Sequence, residues 1–444
     1  MSSPNRKDTT MLSKKTKALA ALAVVGPLML AGCSQQAKNP EGGGGEAGKT
    51  QMTMWTHSAG NEGEMKVIAS MIEDFNGSQD KYEVVRQDFP QAAYNDSVQG
   101  AAASGDLPCI LDVDGPIMPN WAWNGWLVPS GLTDADVENF LPSTVGRYDG
   151  QIYSVGYWDA TTLIFTRSSI LEKVGARVPT VEQPWTAEEF ADIQKKLKDT
   201  GDYEYVIDWG PGWADEWWPY AYAPLMQSFG GDLIDRNTFE SADGVLNGPE
   251  SVKFAEWFQA QFADGYAPKS NAQDRTEFKE GKVALQYNGV WALSENSEVY
   301  DDLLMIPAPD FGAGSKAGVG SWQYSLTNSC SDAQKTGALE YLKFTMDDKY
   351  IAQFSDVTSL IPATTTAWEQ TEKGFFGPDK PAQIAAQITE ANGLVRPPTP
   401  AYPVISRIFD KALRDIVNGS DPKGTLDQAV SEVDTDIKSA GYNK

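Results

Sequence analysis

The sequence predicts an α/β protein built from parallel, doubly wound sheets. Three observations lead there. The chain has 444 residues, and at roughly 100–200 residues per domain two domains are expected. A hydrophobic share of 41%, with 11% aromatic residues, supplies enough apolar surface for real cores. From residue 51 onward, short alternating runs and longer runs of helical period succeed one another, the pattern of strand, helix, strand.

The elements can be justified in order. Residues 51–57 alternate like a strand. Residues 62–75 carry apolar side chains at Met65, Ile68, Met71, Ile72 and Phe75, a helical spacing. Residues 81–87 read as a second strand, 94–103 as a helix and 109–113 as a third strand. Residues 151–167 form one long extended stretch that runs into a helical segment at 168–174. Thr186-Ala-Glu-Glu189 is a capping box, because a threonine hydroxyl and a glutamate three residues on satisfy each other's backbone donors. Helical periods recur at 251–262 and 333–347, with a strand at 322–327. Residues 401–418 form a strong amphipathic helix stopped by Asn418-Gly419, and 424–439 form the last one. No fixed-period repeat and no internal membrane-spanning stretch is visible. Ligands of such sheets sit at the carboxyl ends of strands, which puts Trp55, His57, Asp112 and Asp114 on a candidate rim.

The N-terminus reads as an address. Arg6, Lys7, Lys14, Lys15 and Lys17 precede an apolar run at 18–30, too short to span a ~30 Å bilayer core comfortably. Leu30-Ala31-Gly32-Cys33 resembles the bacterial lipobox, which implies that residues 1–32 are a lipoprotein signal and that Cys33 is acylated. Residues 33–50, with four consecutive glycines, form a flexible tether. The protein is expected outside the cell, on the membrane through the lipid anchor only.

Composition excludes several classes of function. A formal charge of −25 opposes nucleic-acid binding, which runs on basic patches. A single histidine removes most triads and multi-histidine metal sites, and three cysteines cannot form a Cys₄ zinc site. No cofactor or metal is expected, and the chain is read as a non-enzyme. Fourteen tryptophans exceed what a core of this size needs.

Five segments together resemble the bacterial ABC-importer solute-binding proteins, the extracellular family that carries oligosaccharides. They are the lipobox with its tether; Ala101-Ala-Ala-Ser-Gly-Asp-Leu-Pro-Cys-Ile; Gly150-Gln-Ile-Tyr-Ser-Val-Gly with Leu163-Ile-Phe-Thr-Arg and Pro184-Trp-Thr-Ala-Glu-Glu-Phe190; Phe278-Lys-Glu-Gly-Lys-Val-Ala-Leu-Gln-Tyr-Asn-Gly-Val-Trp291; and Arg396-Pro-Pro-Thr-Pro-Ala-Tyr402 with its helix. The resemblance spans nearly the whole mature chain. It implies the periplasmic-binding-protein architecture: two doubly wound α/β lobes joined by several hinge crossings, with the ligand in the interlobe cleft. The N-terminal lobe would comprise 51–157 plus 318–358, the C-terminal lobe 158–317 plus 359–444, with crossings near 156–160, 315–320 and 357–362. It also implies a transmembrane permease as partner, with the binding protein itself a monomer.

Sugar rings offer apolar faces and polar edges, so aromatic faces and carboxylates are their natural partners. Trp213, Asp215, Glu216, Trp217, Trp218, Tyr220 and Tyr222 crowd one short segment, more than one helical face can bury. The resemblance places Trp213, Glu216 and Trp217 at the sugar, with Asp114 as a ligand carboxylate and Trp291 as a stacking residue. Trp55 and His57 end the first strand; Tyr157, Trp158 and Asp159 lie at the first crossing, and Trp322 and Tyr324 at the second. Arg396, before Pro397-Pro398 on a rigid loop, is read as forming an ion pair across its lobe rather than touching sugar. Trp121, Trp123, Trp126, Trp185, Trp257 and Trp368 are assigned structural roles. The family would place Cys109 and Cys330 in one lobe, and outside the cell two such cysteines invite a disulfide.

Two other functions fit the same residues. A secreted glycoside hydrolase also wants aromatics and paired carboxylates, although too few strand–helix units precede the change in pattern for a TIM barrel. A binder of a cationic ligand, such as a polyamine or basic peptide, would use acids and aromatics as a cage.

Overall fold

The computed structural model describes residues 48–214, 216–270, 275–377 and 380–442. The expected signal segment, the candidate Cys33, the tether up to residue 47 and Asp215 lie outside the described residues. Thr50 already belongs to the first strand, so the tether ends before it.

The first sheet runs in the order Tyr82–Asp88, Thr50–Thr56, Ile110–Asp114, Trp322–Thr327, Gln151–Val155, Val145–Tyr148. Its first three strands are parallel and arise from the local pattern read above. Between them lies the helix Glu62–Ser78, which Asn61 caps by accepting from the Glu64 N–H, and which buries Val67, Ile68, Met71 and Phe75. The strand Ile110–Asp114 is buried throughout because it sits mid-sheet with helices over it. Trp322–Thr327 arrives antiparallel beside it.

The second sheet is organised by Trp158–Arg167, buried along nearly its whole length. Val283–Gly289, Ala317–Gly320, Leu303–Ile306 and Ile361–Pro362 all pair with it antiparallel. Tyr205–Asp208 pairs parallel with Val283–Gly289, and Gly393–Val395 with Ala317–Gly320. Helices Trp217–Ser228, Pro249–Ala263, Tyr402–Val417 and Pro422–Ala440 cover it around a core that includes Trp185, Trp209, Phe258 and Phe409. The capping box forms: Thr186 Oγ1 accepts from the Glu189 N–H and Glu189 Oε2 from the Thr186 N–H. Both sheets are therefore mixed, not parallel, because strands that return from the other sheet enter against the local direction.

The stretch 151–167 is a correction of detail. It is two strands in two sheets, broken at Gly156-Tyr157. Ala317–Gly320 and Trp322–Thr327 repeat this change of sheet at Ser321, and the helix Asp348–Thr358 feeds Ile361–Pro362. The first two passages touch: a Cβ on Gly156 would lie 2.6 Å from the Trp322 carbonyl oxygen and 2.7 Å from Ser321 Oγ, so only glycine allows the approach. Cys109 and Cys330 form a disulfide, with Cα atoms 4.7 Å apart, across the antiparallel neighbours that they flank.

Candidate functional site

On the first sheet the strand ends converge as their period requires. Asp112 and Asp114 lie two residues apart on one face of their strand. His57 follows the first strand, and its Nδ1 bonds Asp112 Oδ2. Its Nε2 lies 3.8 Å from Glu64 Oε2, which in turn accepts from Ser58 Oγ at 3.0 Å. The imidazole stacks on Trp322 with centroids 3.8 Å apart and planes 14° from parallel. Burial works to lower the His57 pKa, but Asp112, Glu64 and Asp114 together hold it above the usual histidine value. Burial likewise holds Glu64 above the usual carboxylate range, against the pull of His57 and Ser58. A cavity of about 10 Å³, the size of one water molecule, lies among His57, Glu64, Asp112, Tyr157, Trp158 and Trp322. Trp55 is half-buried against Phe89, with ring centroids 4.7 Å apart.

On the second sheet the helix Trp217–Ser228 and the turn after Val283–Gly289 bring Trp213, Trp217, Tyr220 and Trp291 together. Trp213 meets Trp217 edge to face at 4.8 Å, and Trp291 lies 6.2 Å from each. Tyr220 stacks on Trp291 at 6.1 Å. Trp291 folds back over Gly289, where a Cβ would come within 2.0 Å of its ring, so that glycine permits the indole's position.

Between these groups lies Arg396, just beyond the edge strand Gly393–Val395. Its guanidinium holds Asp114 by two parallel bonds of 2.9 Å and reaches Glu216 at 2.6 Å. Glu216 also accepts from Tyr402 Oη and Ser406 Oγ, each at 2.5 Å. Bidentate pairing of this kind is strong and directional. Burial nevertheless pushes Asp114 up to about 6, with Arg396 pulling it down and Glu216 pushing it up. One cation thus joins an acid of the first sheet to an acid beside the second.

Of the residues expected at a ligand, Trp55, Trp213, Trp291 and Trp322 keep partly open faces. Asp114 and Glu216 come together, but through Arg396. Five of the expected residues are engaged by the protein itself. Asp159 is fully buried and accepts from the Gly320 and Ala160 N–H groups and from Ser143 Oγ, so it pins the passages between sheets rather than facing open space. Tyr157 gives its hydroxyl to Thr345 and its ring to Phe354. Tyr324 is buried against the Tyr157 ring. Trp217 and Trp158 are mostly covered, and Trp217 donates to Tyr222 Oη. Glu64 and Arg275, both buried and charged, were not expected here; Glu64 occupies an ordinary helical window, and no motif marks Arg275.

Residues 70–376 match the family described as bacterial extracellular solute-binding protein. The chain belongs to this family. Among relatives of this solute-binding protein is the sn-glycerol-3-phosphate-binding periplasmic protein UgpB of Yersinia enterocolitica, 24% identical over 87% of this chain and 92% of that protein. Its fold is that of the GacH receptor of Streptomyces glaucescens, solved unliganded and with acarbose, at a TM-score of 0.72 and 20% identity over 88% and 98% of the two chains. The cyclic alpha-maltosyl-1,6-maltose binding protein of Arthrobacter globiformis gives the same TM-score at 19% identity, over 88% and 100%. The fold is therefore the two-lobe periplasmic-binding-protein fold, with one sheet in each lobe.

Proposed function

We propose that this solute-binding protein captures an oligosaccharide between its two lobes and delivers it to the membrane permease of an ABC importer. The observation that carries the reading is the set of partly open indoles, Trp55 and Trp322 on strands flanking the one that ends in Asp114, and Trp213 and Trp291 beside the second sheet, with the Asp114–Arg396–Glu216 group joining the two sides. Indole faces cover the apolar sides of sugar rings, and the polar group meets the hydroxyls. Closure of rigid lobes on the ligand would present the permease with a distinct shape. The fold neighbours that were solved with acarbose or named for a cyclic maltosyl sugar support a glucan-like ligand.

A phosphorylated polyol is the second reading, raised by the UgpB relatives. Electrostatics disfavours it: Arg396 already faces two carboxylates, which would repel a phosphate. A thermal-shift and calorimetric screen of maltodextrins, cyclodextrins, sn-glycerol-3-phosphate and spermidine decides among the readings, since a ligand of the native state raises the melting temperature. We expect a response to glucans alone. A response confined to the phosphate or the polyamine refutes the sugar reading, and hydrolysis products from a labelled glucan would make the protein a glycosidase. Anchoring through acylated Cys33 belongs to the same proposal: Cys33→Ser in the full chain should release the protein from the membrane fraction.

A further inference from the structure

We propose that Arg275 is a positioning residue: clamped by Asp208, it sets the angle of the Trp213–Trp217 pair and so the shape of the aromatic wall that one lobe offers to a sugar. The inference rests on the oligosaccharide reading above and goes beyond it.

Arg275 is only 2% exposed and is paired with the fully buried Asp208 through Nε at 2.9 Å. Its Nη2 donates to the carbonyl oxygens of Tyr287, at 2.6 Å, and of Asp208, at 3.3 Å. The guanidinium carbon stands 4.7 Å from the Trp213 ring centroid and 5.2 Å from that of Trp217. A buried cation against two indole faces is a strong form of cation–π contact, and the planar guanidinium also stacks where an ammonium does not. The arrangement is costly elsewhere. A buried ion pair gives up hydration that an apolar pair of the same volume would not. Nη1 is buried without a hydrogen-bond partner. The backbone of Arg275 sits at φ +49°, a left-handed conformation unfavourable for a long side chain.

Neighbouring residues are arranged around this contact. Trp217 is held at its nitrogen by Tyr222 Oη, which itself donates to the Trp209 carbonyl oxygen. The Trp213 carbonyl oxygen accepts from Trp218 Nε1 and Arg414 Nη2, fixing its backbone. The guanidinium then bears on the faces of both rings. Gly210, at φ +79°, lies against it: a Cβ there would come within 2.7 Å of Arg275 Nη1 and 3.0 Å of Trp217 Nε1. Glycine is thus required both by the backbone angle and by the guanidinium. A charge used only for packing would need neither the two ring faces nor this cleared space.

Three variants test the proposal. Arg275→Lys keeps the charge and loses the plane. The double variant Asp208→Asn/Arg275→Gln removes both charges and leaves none buried alone. Gly210→Ala keeps both charges and displaces the guanidinium. Each is measured for cooperative unfolding, for the near-ultraviolet circular dichroism and tryptophan emission of the ligand-free protein, and for its Kd for maltodextrins and cyclodextrins. For variants that still unfold cooperatively, we expect an altered near-ultraviolet signature and roughly tenfold weaker binding. Native-like spectra and affinity in a folded variant overturn the proposal while leaving sugar binding intact. If the native protein binds no sugar, the spectra alone decide about Arg275, and the oligosaccharide reading fails separately.

Discussion

His57 is the chain's one histidine, and it lies between Asp112 and Glu64 under the indole of Trp322. With Glu64, Asp114 and Asp159 it forms a set of buried groups whose pKa values in the fold lie above their ordinary ones, and burial pushes Asp114 and Asp159 up to about 6. A raised folded pKa means that the native state holds the proton more tightly than the unfolded chain. The associated stability is complete below the unfolded pKa and is lost as pH rises through the folded one. Asp136 and Glu189 act in the opposite direction: hydrogen bonds from Lys343 and Arg177 hold them at about 2, so their contribution is lost only in stronger acid. The melting temperature is therefore expected to fall as pH rises from about 4.5 to just above 6, through the folded values of Asp114 and Asp159. Asp159→Asn should flatten that slope, by an amount corresponding to at most about 3 kcal/mol. A melting temperature that climbs over this range would contradict the assignment.

At the scale of elements, local pattern found the first three strands with their helices and the two last helices but not Trp217–Ser228 or Val283–Gly289, and distant partners decided how the elements assemble. The capping box at Thr186 and the amphipathic helix ending before Asn418 were legible because their signals lie within a few residues. The division of 151–167 between two sheets was not legible, because Gly156 is required by Trp322 and Ser321, far along the chain. Cys109 and Cys330 illustrate the same distance: they flank antiparallel strands and lie 221 residues apart in sequence. Closing so long a loop in the unfolded chain is worth about 5 kcal/mol on the entropic account. Cys109→Ser/Cys330→Ser should lower the melting temperature by several degrees while leaving ligand affinity within about twofold, since Cys109 precedes the strand that ends in Asp114. An unchanged melting temperature, or a lost ligand site, would count against this separation of stability from binding.

Across the whole molecule, Arg396 is a polar bridge between the two sides. It holds Asp114 on one and Glu216 on the other, and the Asn120 side chain adds a bond to the Pro400 carbonyl oxygen on the same loop. A buried charge pair costs most when one partner is removed, because the other charge stays unpaired. Arg396→Gln is expected to shift the ligand-free protein toward an open arrangement, seen as a larger radius of gyration in small-angle scattering, and to weaken ligand binding at least tenfold. A radius unchanged from the native protein would show that Arg396 does not hold the lobes together.

By itself the sequence determined the α/β class, the order of many of its elements, the family resemblance and the surplus of tryptophan that points to a sugar, because periodicity, capping and composition are local or additive. Only the tertiary structure decided which acids stand free and which are engaged. Asp114 looks like a ligand carboxylate in its own window, yet its partner Arg396 comes from 282 residues away. Asp159 reads as a cleft residue until Ser143 and Gly320 close around it. Burial makes an unpaired charge expensive, so each buried acid takes whatever donor the fold brings near, and that choice is written in no local pattern.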